Sequence, residues 1–248
     1  MIKIKSSEEI KEMRSVGKMT AQIFKEMRKF VRPGVSTKDI DNKITERISR
    51  MGVKPAFLGY QGFPASACIS LNNELIHGIP SAKKIVQQGD LISIDLGLYN
   101  GRFYSDATDS FCVGKCPPLA VKLIRIGRKV LGRAVRLIRP GIKVGDISSL
   151  IENFVESSGF CVVKKFVGHG IGRELHEEPE IPNFGTKNSG PELKEGMVLA
   201  IEPMITVSSD AVEILDNGWT VVSKDNKLCI HFEHSVAVTA KGYKILTN

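Results

Sequence analysis

Carboxylates at the ends of apolar runs are the first feature of this sequence that could do chemistry. Leu91-Ile-Ser-Ile-Asp95 and Leu199-Ala-Ile-Glu202 each close a short apolar segment on an acid, and Glu233 begins another in His231-Phe-Glu-His-Ser-Val-Ala-Val. Asp106 follows Asp95 across Asn100-Gly101, a dipeptide that signals a two-residue type I′ hairpin turn. With that turn Tyr99 pairs with Arg102, and Asp95 stands directly opposite Asp106. Side chains so opposed have Cβ atoms about 4.5–5.5 Å apart, where two like charges destabilise the sheet. An exposed hairpin edge would relieve the pair. Four carboxylates gathered in an interior, however, cannot all stay ionised without a cation. Oxygen donors favour hard or borderline divalent ions, and one imidazole among them shifts the choice toward Mn, Fe, Co or Zn.

The imidazole candidate is His169 in Val167-Gly-His-Gly-Ile-Gly172. Its three glycines allow a sharp turn and a close backbone approach to a ligand. His77 (in Leu75-Ile-His-Gly-Ile-Pro80) and His176 (in His176-Glu-Glu-Pro179) also lie beside turn residues, suited to polar contacts with a substrate. Only nearness to Glu233 recommends His231 and His234. Other catalytic motifs fail: Gly168-x-Gly170-x-Gly172 has the wrong spacing for a dinucleotide fingerprint, and neither a phosphate-binding loop nor a Gly-x-Ser-x-Gly elbow occurs.

The elements that must carry these residues repeat. Arg32-Pro-Gly-Val35 returns as Arg139-Pro-Gly-Ile142, a shift of 107 residues, and Gly89-Asp-Leu-Ile-Ser-Ile-Asp95 returns at the same shift as Gly196-Met-Val-Leu-Ala-Ile-Glu202. Glu202 thus stands in the second half where Asp95 stands in the first. The chain reads as one domain of two equivalent halves, about 7–113 and 118–240. In the first, Ser6 or Ser7 caps a helix, with Glu9 completing a capping box. Ile10, Met13, Val16, Ile23, Phe24, Met27 and Val31 form its apolar stripe. A second helix starts at Ser36 or Thr37, and the other half repeats the pair over 119–138 and 146–157. Strand alternation follows in 91–97, 103–113, 198–207, 219–223 and 231–239. Helices set apart from mostly antiparallel strands predict an α+β domain with one sheet face covered.

A chain of 248 residues with 42% hydrophobic and 25% charged residues is typical of a globular protein. Its start has no apolar stretch of signal-peptide length, and no run approaches the ~20 apolar residues of a membrane span, so a cytoplasmic protein is expected. Five scattered cysteines include no Cys-x-x-Cys pair; they read as reduced core and pocket thiols rather than a disulfide framework, with Cys112/Cys116 a weak case for a soft metal. The net charge of +8 suits a polyanionic partner. Much of it lies on one helical segment, from Lys122 to Arg136. A solvated helix face explains this most simply; attraction to an RNA-rich ribosome surface is the functional alternative, with no sequence-specific nucleic-acid recognition.

Taken together, the chain resembles a type I methionine aminopeptidase over essentially its whole length. The resemblance is carried by Gly59-Tyr-Gln-Gly-Phe-Pro64, Cys68-Ile-Ser-Leu-Asn-Asn-Glu-Leu-Ile-His-Gly-Ile-Pro80, the Asp95–Asp106 segment, Gly168-His-Gly-Ile-Gly-Arg173, His176-Glu-Glu-Pro179, Ile201-Glu-Pro-Met204 and Phe232-Glu-His234. It implies the duplicated pita-bread (creatinase/aminopeptidase) fold: a pseudo-two-fold antiparallel sheet covered by helices. It also implies that Asp95, Asp106, His169, Glu202 and Glu233 hold two divalent ions, some carboxylates bridging. The implied reaction is hydrolytic removal of the initiator methionine from nascent chains and peptides, with a small second residue preferred. Glu202 would be the general base, His77 would hydrogen-bond the scissile amide nitrogen, and His176 would stabilise the oxyanion. Tyr60, Phe63, Cys68 and Trp219 would form the methionine pocket. A monomer is implied.

Phe57, Phe63 and Leu175 sit where members of that family vary, which leaves the fine shape of the pocket open. No zinc-finger extension is expected ahead of the catalytic region, and the second half has no long helical insertion, which separates it from the type II enzymes. Two rivals stand beside this reading. One is a proline-specific aminopeptidase or dipeptidase on the same fold; those relatives usually carry an additional N-terminal domain. The other is a non-catalytic binding module, which would be expected to have lost ligands.

Overall fold

Ser6 caps the first helix through the predicted box: its Oγ accepts from Glu9 N (3.2 Å), and Glu9 Oε2 accepts from Ser6 N (2.9 Å). The computed structural model describes residues 1–248, with helices α1 (Ser7–Phe30), α2 (Thr37–Arg50), α3 (Pro118–Leu137) and α4 (Val144–Ser157). Ser36 and Asp39 form the same box at α2. In α4, Asp146 accepts from Lys143 N (2.9 Å), so the helix starts two residues before the predicted position 146. Both ends of α4 lie 107 residues after those of α2, and the isolated bridges Ser36–Ile85 and Lys143–Glu192 are related by the same shift. No helix is long and apolar enough to cross a membrane.

The main sheet has nine strands, all antiparallel to their neighbours: β1 (Lys54–Pro55), β2 (Cys68–Leu71), β3 (Leu91–Tyr99), β4 (Tyr104–Cys112), β5 (Val167–Gly170), β6 (Glu177–Pro182), β7 (Val198–Ile201), β8 (Glu233–Thr239) and β9 (Gly242–Ile245). Their order is β1-β3-β4-β8-β7-β5-β6, with β2 on β3 and β9 on β8. Strand alternation divides the residues between two faces. Ile92, Ile94, Leu96 and Leu98 pack with α1 and α2, while Leu199, Ile201, Val236 and Val238 pack with α3 and α4. The opposite, helix-free face carries Asp95, Asp106, Glu202 and Glu233.

Two predicted strands are split. The run 198–207 breaks at Glu202-Pro203, where proline lacks the N–H a ladder needs, and continues as Met204–Thr206 in a separate three-stranded sheet with Cys161–Val162 and Cys229–His231. The run 231–239 breaks at Phe232 and changes sheets at the same place. The pairings His234–Ile201 and Met204–His231 keep one register through this crease, so Glu202 and Glu233 occupy opposite positions across it.

The hairpin register differs from the expected one. Tyr99 pairs with Tyr104, and Asp95 with Thr108, while Asp106 lies opposite Gly97. The loop therefore has four residues, Asn100–Phe103. A type I′ turn needs positive φ at both central residues; Gly101 has φ 97°, but Asn100 is not in that region. Instead Asn100 Oδ1 accepts from Arg102 N (3.0 Å) and Phe103 N (2.8 Å), and Phe103 is fully buried. Burying this ring lengthens the loop by two residues. A shift of two preserves which face each residue occupies, so Asp95 and Asp106 remain on one face as diagonal neighbours.

Candidate metal centre

Two adjacent rows of side chains run across the helix-free face. Cys68, Asp95, Thr108 and Glu233 are successive partners across β2, β3, β4 and β8, and Glu202 continues the row at the crease. In the second row Gly97 faces Asp106, Ser235 faces Ala200, and Ala200 faces His169. Ser235 joins Asp106 into that row: its Oγ accepts from Asp106 N (3.1 Å) and donates to Asp106 O (2.7 Å). The positions flanking Asp106 and His169 are thus filled by glycine, serine and alanine, which leaves space over the middle of the sheet.

That space is a cavity of about 310 Å³. Asp95, Asp106, His169, Glu202 and Glu233 all line it, as do His77, His176, Tyr60, Phe63, Cys68 and Trp219. Every site residue named from the sequence is therefore brought to one cavity. Ligand atoms of Asp106, His169 and Glu233 lie within 4.8 Å of one another, and all three residues are buried. Glu202 Oε1 is 3.5 Å from His169 Nε2. Asp95 adjoins this trio from the next strand.

The electrostatics of the cavity ask for positive charge. Burial holds the carboxyls of Asp106, Glu202 and Glu233 well above the usual carboxylate range, and their neighbours' charges push the same way. Asp95 is also raised by burial, although the nearby His231, Thr108 and Cys68 draw it back. Thr108 Oγ1 donates to Glu233 Oε2 (3.1 Å), but Asp95 Oδ1, Asp106 Oδ1 and Glu233 Oε1 are buried with no partner. Such orphaned acceptors are costly unless something satisfies them. Burial takes His169 down to about 3 and His77 to about 4, so both rings are neutral near pH 7. His169 Nδ1 lies 2.9 Å from Gly170 O; donating there leaves the Nε2 lone pair facing the carboxylates. Buried oxygens without partners beside an unprotonated imidazole nitrogen suit a divalent cation.

The glycines around His169 act differently from the expectation. None of Gly168, Gly170 and Gly172 has positive φ. A Cβ at Gly168 would meet Ala200 O at 2.5 Å, and one at Gly170 would meet Glu178 O at 2.1 Å. These residues let the neighbouring strands close on β5, rather than bringing the backbone to a ligand.

An aromatic arm extends from the acidic end. Phe63 packs edge-on against Trp219 (5.1 Å between ring centres), which in turn meets His77 (6.1 Å). His77 has φ 57°, a left-handed conformation uncommon for a non-glycine residue and characteristic of functional sites. On the other side Tyr60 Oη lies 2.8 Å from His176 Nδ1, and the rings of His176 and His169 are 4.3 Å apart. Phe57, Gln61, Ile76, Phe166 and Leu175 also line the cavity. So does His231, which sequence reasoning set aside. Its signal was available: it precedes Glu233 by two residues, the strand repeat.

Comparison with known proteins places these observations in a family. The description "Metallopeptidase family M24" matches residues 11–240. A methionine aminopeptidase of Clostridium perfringens is 45% identical, covering 100% of this chain and 99% of its own length. That of Escherichia coli K12 is 38% identical, covering 99% and 94%. The crystal structure of the Thermotoga maritima methionine aminopeptidase superposes with a TM-score of 0.98 at 42% identity over the whole of both chains. The Pyrococcus horikoshii prolidase superposes at 0.80 with 25% identity, covering 99% of this chain but 63% of its own.

Proposed function

The chain belongs to metallopeptidase family M24, and we propose that it removes the N-terminal methionine from peptides and nascent chains by metal-dependent hydrolysis. Its architecture is the pita-bread fold that this family shares with the prolidases. The observation that carries the reading is a single cavity of about 310 Å³ holding both an acidic, imidazole-bearing end and an aromatic arm. The full-length similarity to methionine aminopeptidases favours this over the proline-specific rival, and the complete set of donors argues against a non-catalytic module.

In this reading Asp95, Asp106, His169, Glu202 and Glu233 hold two divalent ions, of Mn, Fe, Co or Zn. Such ions lower the pKa of water and polarise carbonyl oxygens. The remaining work belongs to the side chains. Glu202 accepts the proton of the attacking water. Tyr60 donates its hydroxyl hydrogen to His176 Nδ1, which leaves a neutral ring with Nε2–H free to stabilise the oxyanion. His77, neutral and held between Trp219 and Phe166, hydrogen-bonds the scissile amide nitrogen. Tyr60, Phe63, Cys68 and Trp219 enclose the methionine side chain, whose unbranched thioether suits an aromatic lining. A small second residue is preferred.

The protein acts as a monomeric cytoplasmic enzyme, one catalytic domain of two repeated halves. Helix α3 bears no acidic residue, and its Lys122, Arg125, Lys129, Arg133 and Arg136 are exposed, which supports a salt-sensitive association with the ribosome surface. The test is to strip the protein of metal, add Mn, Fe, Co or Zn in turn, and measure methionine released from Met-Ala-Ser and Met-Pro peptides, with Glu202→Ala as control. Metal-dependent release that the variant lacks is expected. Release of only other residues would point to the proline-type reaction.

A further inference from the structure

One buried nitrogen in the cavity is left over when the five ligands have been assigned. His231 is 3% exposed, and its Nε2 makes no hydrogen bond in regular geometry. Yet that atom stands 3.2 Å from Glu202 Oε2, while the other oxygen of the same carboxylate is 3.5 Å from His169 Nε2. Glu202 therefore lies between two imidazoles, one for each oxygen.

The two rings cannot play the same part. His169 spends its one hydrogen on Gly170 O and presents a lone pair. His231 instead turns its Nε2 toward the second oxygen of the carboxylate, 3.2 Å away. Were its Nε2 also a lone pair, it would face carboxylate lone pairs at 3.2 Å with no donor between them. A hydrogen on Nε2 turns the 3.2 Å contact into an attractive one, although its angle lies outside regular hydrogen-bond geometry.

The ring is held from behind. Ser110 Oγ donates to His231 O (2.5 Å) and lies 3.4 Å from His231 N, and His231 pairs with Met204 just past the crease. Phe232 turns the other way, into the core beneath α3.

We propose that His231 is a positioning residue for Glu202: its Nε2–H holds Oε2 and so keeps Oε1 beside His169 Nε2, where a metal ion is to be shared. This deepens the proposed reaction and rests on Glu202 being a ligand. Removing such an outer partner typically weakens metal binding by about 10–100-fold.

The experiment compares His231→Leu, which cannot donate, with His231→Gln, whose amide can. Cobalt affinity is measured by calorimetry, the cobalt environment by visible absorption, folding by thermal melting, and kcat and KM with Met-Ala-Ser. Leu at this position is expected to weaken cobalt binding about 10-fold or more, alter the absorption spectrum and lower kcat with KM within about twofold, while Gln restores all three. Wild-type affinity, spectrum and kcat in the Leu variant would overturn the proposal. So would the loss of one bound ion in both variants, which would make His231 a ligand instead. Equal loss of thermal stability in both, with cobalt affinity and spectrum intact, would reduce it to packing and also overturn it. A wild-type protein that binds cobalt without releasing methionine would refute the methionine reading, and the affinity and spectral arms would still decide the role of His231.

Discussion

Asp106 and His169 lie in one row across the sheet with Ser235 and Ala200 between them, yet their ligand atoms approach within 4.8 Å. Three strand spacings in a flat sheet would separate their backbones by about 14 Å. Only a sheet curled about this face, with small residues at its centre, lets both side chains lean inward and meet. Ala200 is fully buried at that centre. Ala200→Leu should therefore fill the space between these side chains without removing any of them. Manganese affinity measured by calorimetry is expected to fall at least about 10-fold, at a packing cost of about 1–3 kcal/mol. Unchanged affinity in a folded variant would mean that the centre has room the row does not suggest.

Metal should also decide how stability varies with pH. The carboxyls of Asp106, Glu202 and Glu233 are raised in the folded, metal-free protein. A raised acid contributes stability that is present below its unfolded value and lost as pH rises through its folded one. Unfolded imidazoles titrate near 6.5, so the contribution of the buried histidines, which has the opposite sign, is complete by about pH 7.5, and above it the carboxyls set the slope. The melting temperature of the metal-free protein should fall between about pH 7.5 and 8.5, and cobalt at about 100 times its Kd should raise it by roughly 5–10 °C. Binding should release protons, read from calorimetry in buffers of different ionisation enthalpy. A melting temperature flat with pH would contradict the raised carboxyls.

Trp219 touches both Phe63 and His77 and closes the aromatic arm of the cavity. On the proposed reading, Trp219→Ala removes contact that the methionine side chain makes equally in ground and transition states. KM for Met-Ala-Ser should rise about 10-fold or more, with kcat changed less. A fall in kcat alone would place the ring nearer the chemistry than the pocket.

Tyr60→Phe removes the hydroxyl 2.8 Å from His176 Nδ1 and nothing else. If that contact sets the His176 tautomer, kcat should drop about 10-fold with KM nearly constant, whereas His176→Ala should cost about 10²–10³-fold. Equal KM increases in both variants would assign the pair to binding.

The loop bearing His176 is tied to the N-terminal arm by a buried ion pair, Lys5 Nζ to Glu177 Oε2 at 2.5 Å; the two residues are 6% and 8% exposed. Glu177 Oε1 also accepts from Arg173 N (2.8 Å). Lys5→Met leaves the buried carboxylate with only the more distant Lys3, 3.8 Å away, as a charge partner, a loss of up to about 3–5 kcal/mol. Adding Glu177→Gln to it should recover part of that loss, as chemical denaturation of the single and double variants would reveal. No recovery would locate the effect in packing of the lysine stem instead.

Much of the local order was written in residue types. Ser6 with Glu9 and Ser36 with Asp39 are contacts within one turn, so the capping boxes could be read directly. Pro203 was also visible, but its consequence was not: a missing N–H says that a ladder must break, not that two paired strands will change sheets there and leave Glu202 opposite Glu233. The hairpin shows the same limit. Asn100-Gly101 favours a two-residue turn by local preference, while burying Phe103 among residues distant in the chain favours a longer one, and the burial prevails.

What the sequence alone determined was therefore the parity of the site. A period of two places Asp95 and Asp106 on one face whichever even register the hairpin adopts, and the repeat at 107 residues brings an acid to the corresponding strand of the second half. The tertiary structure decided which of those side chains come within reach of one another, and admitted His231 to the group. Distances across a sheet depend on its curl and on the crease between sheets, and both arise from packing between residues far apart in the chain, which no local spacing records.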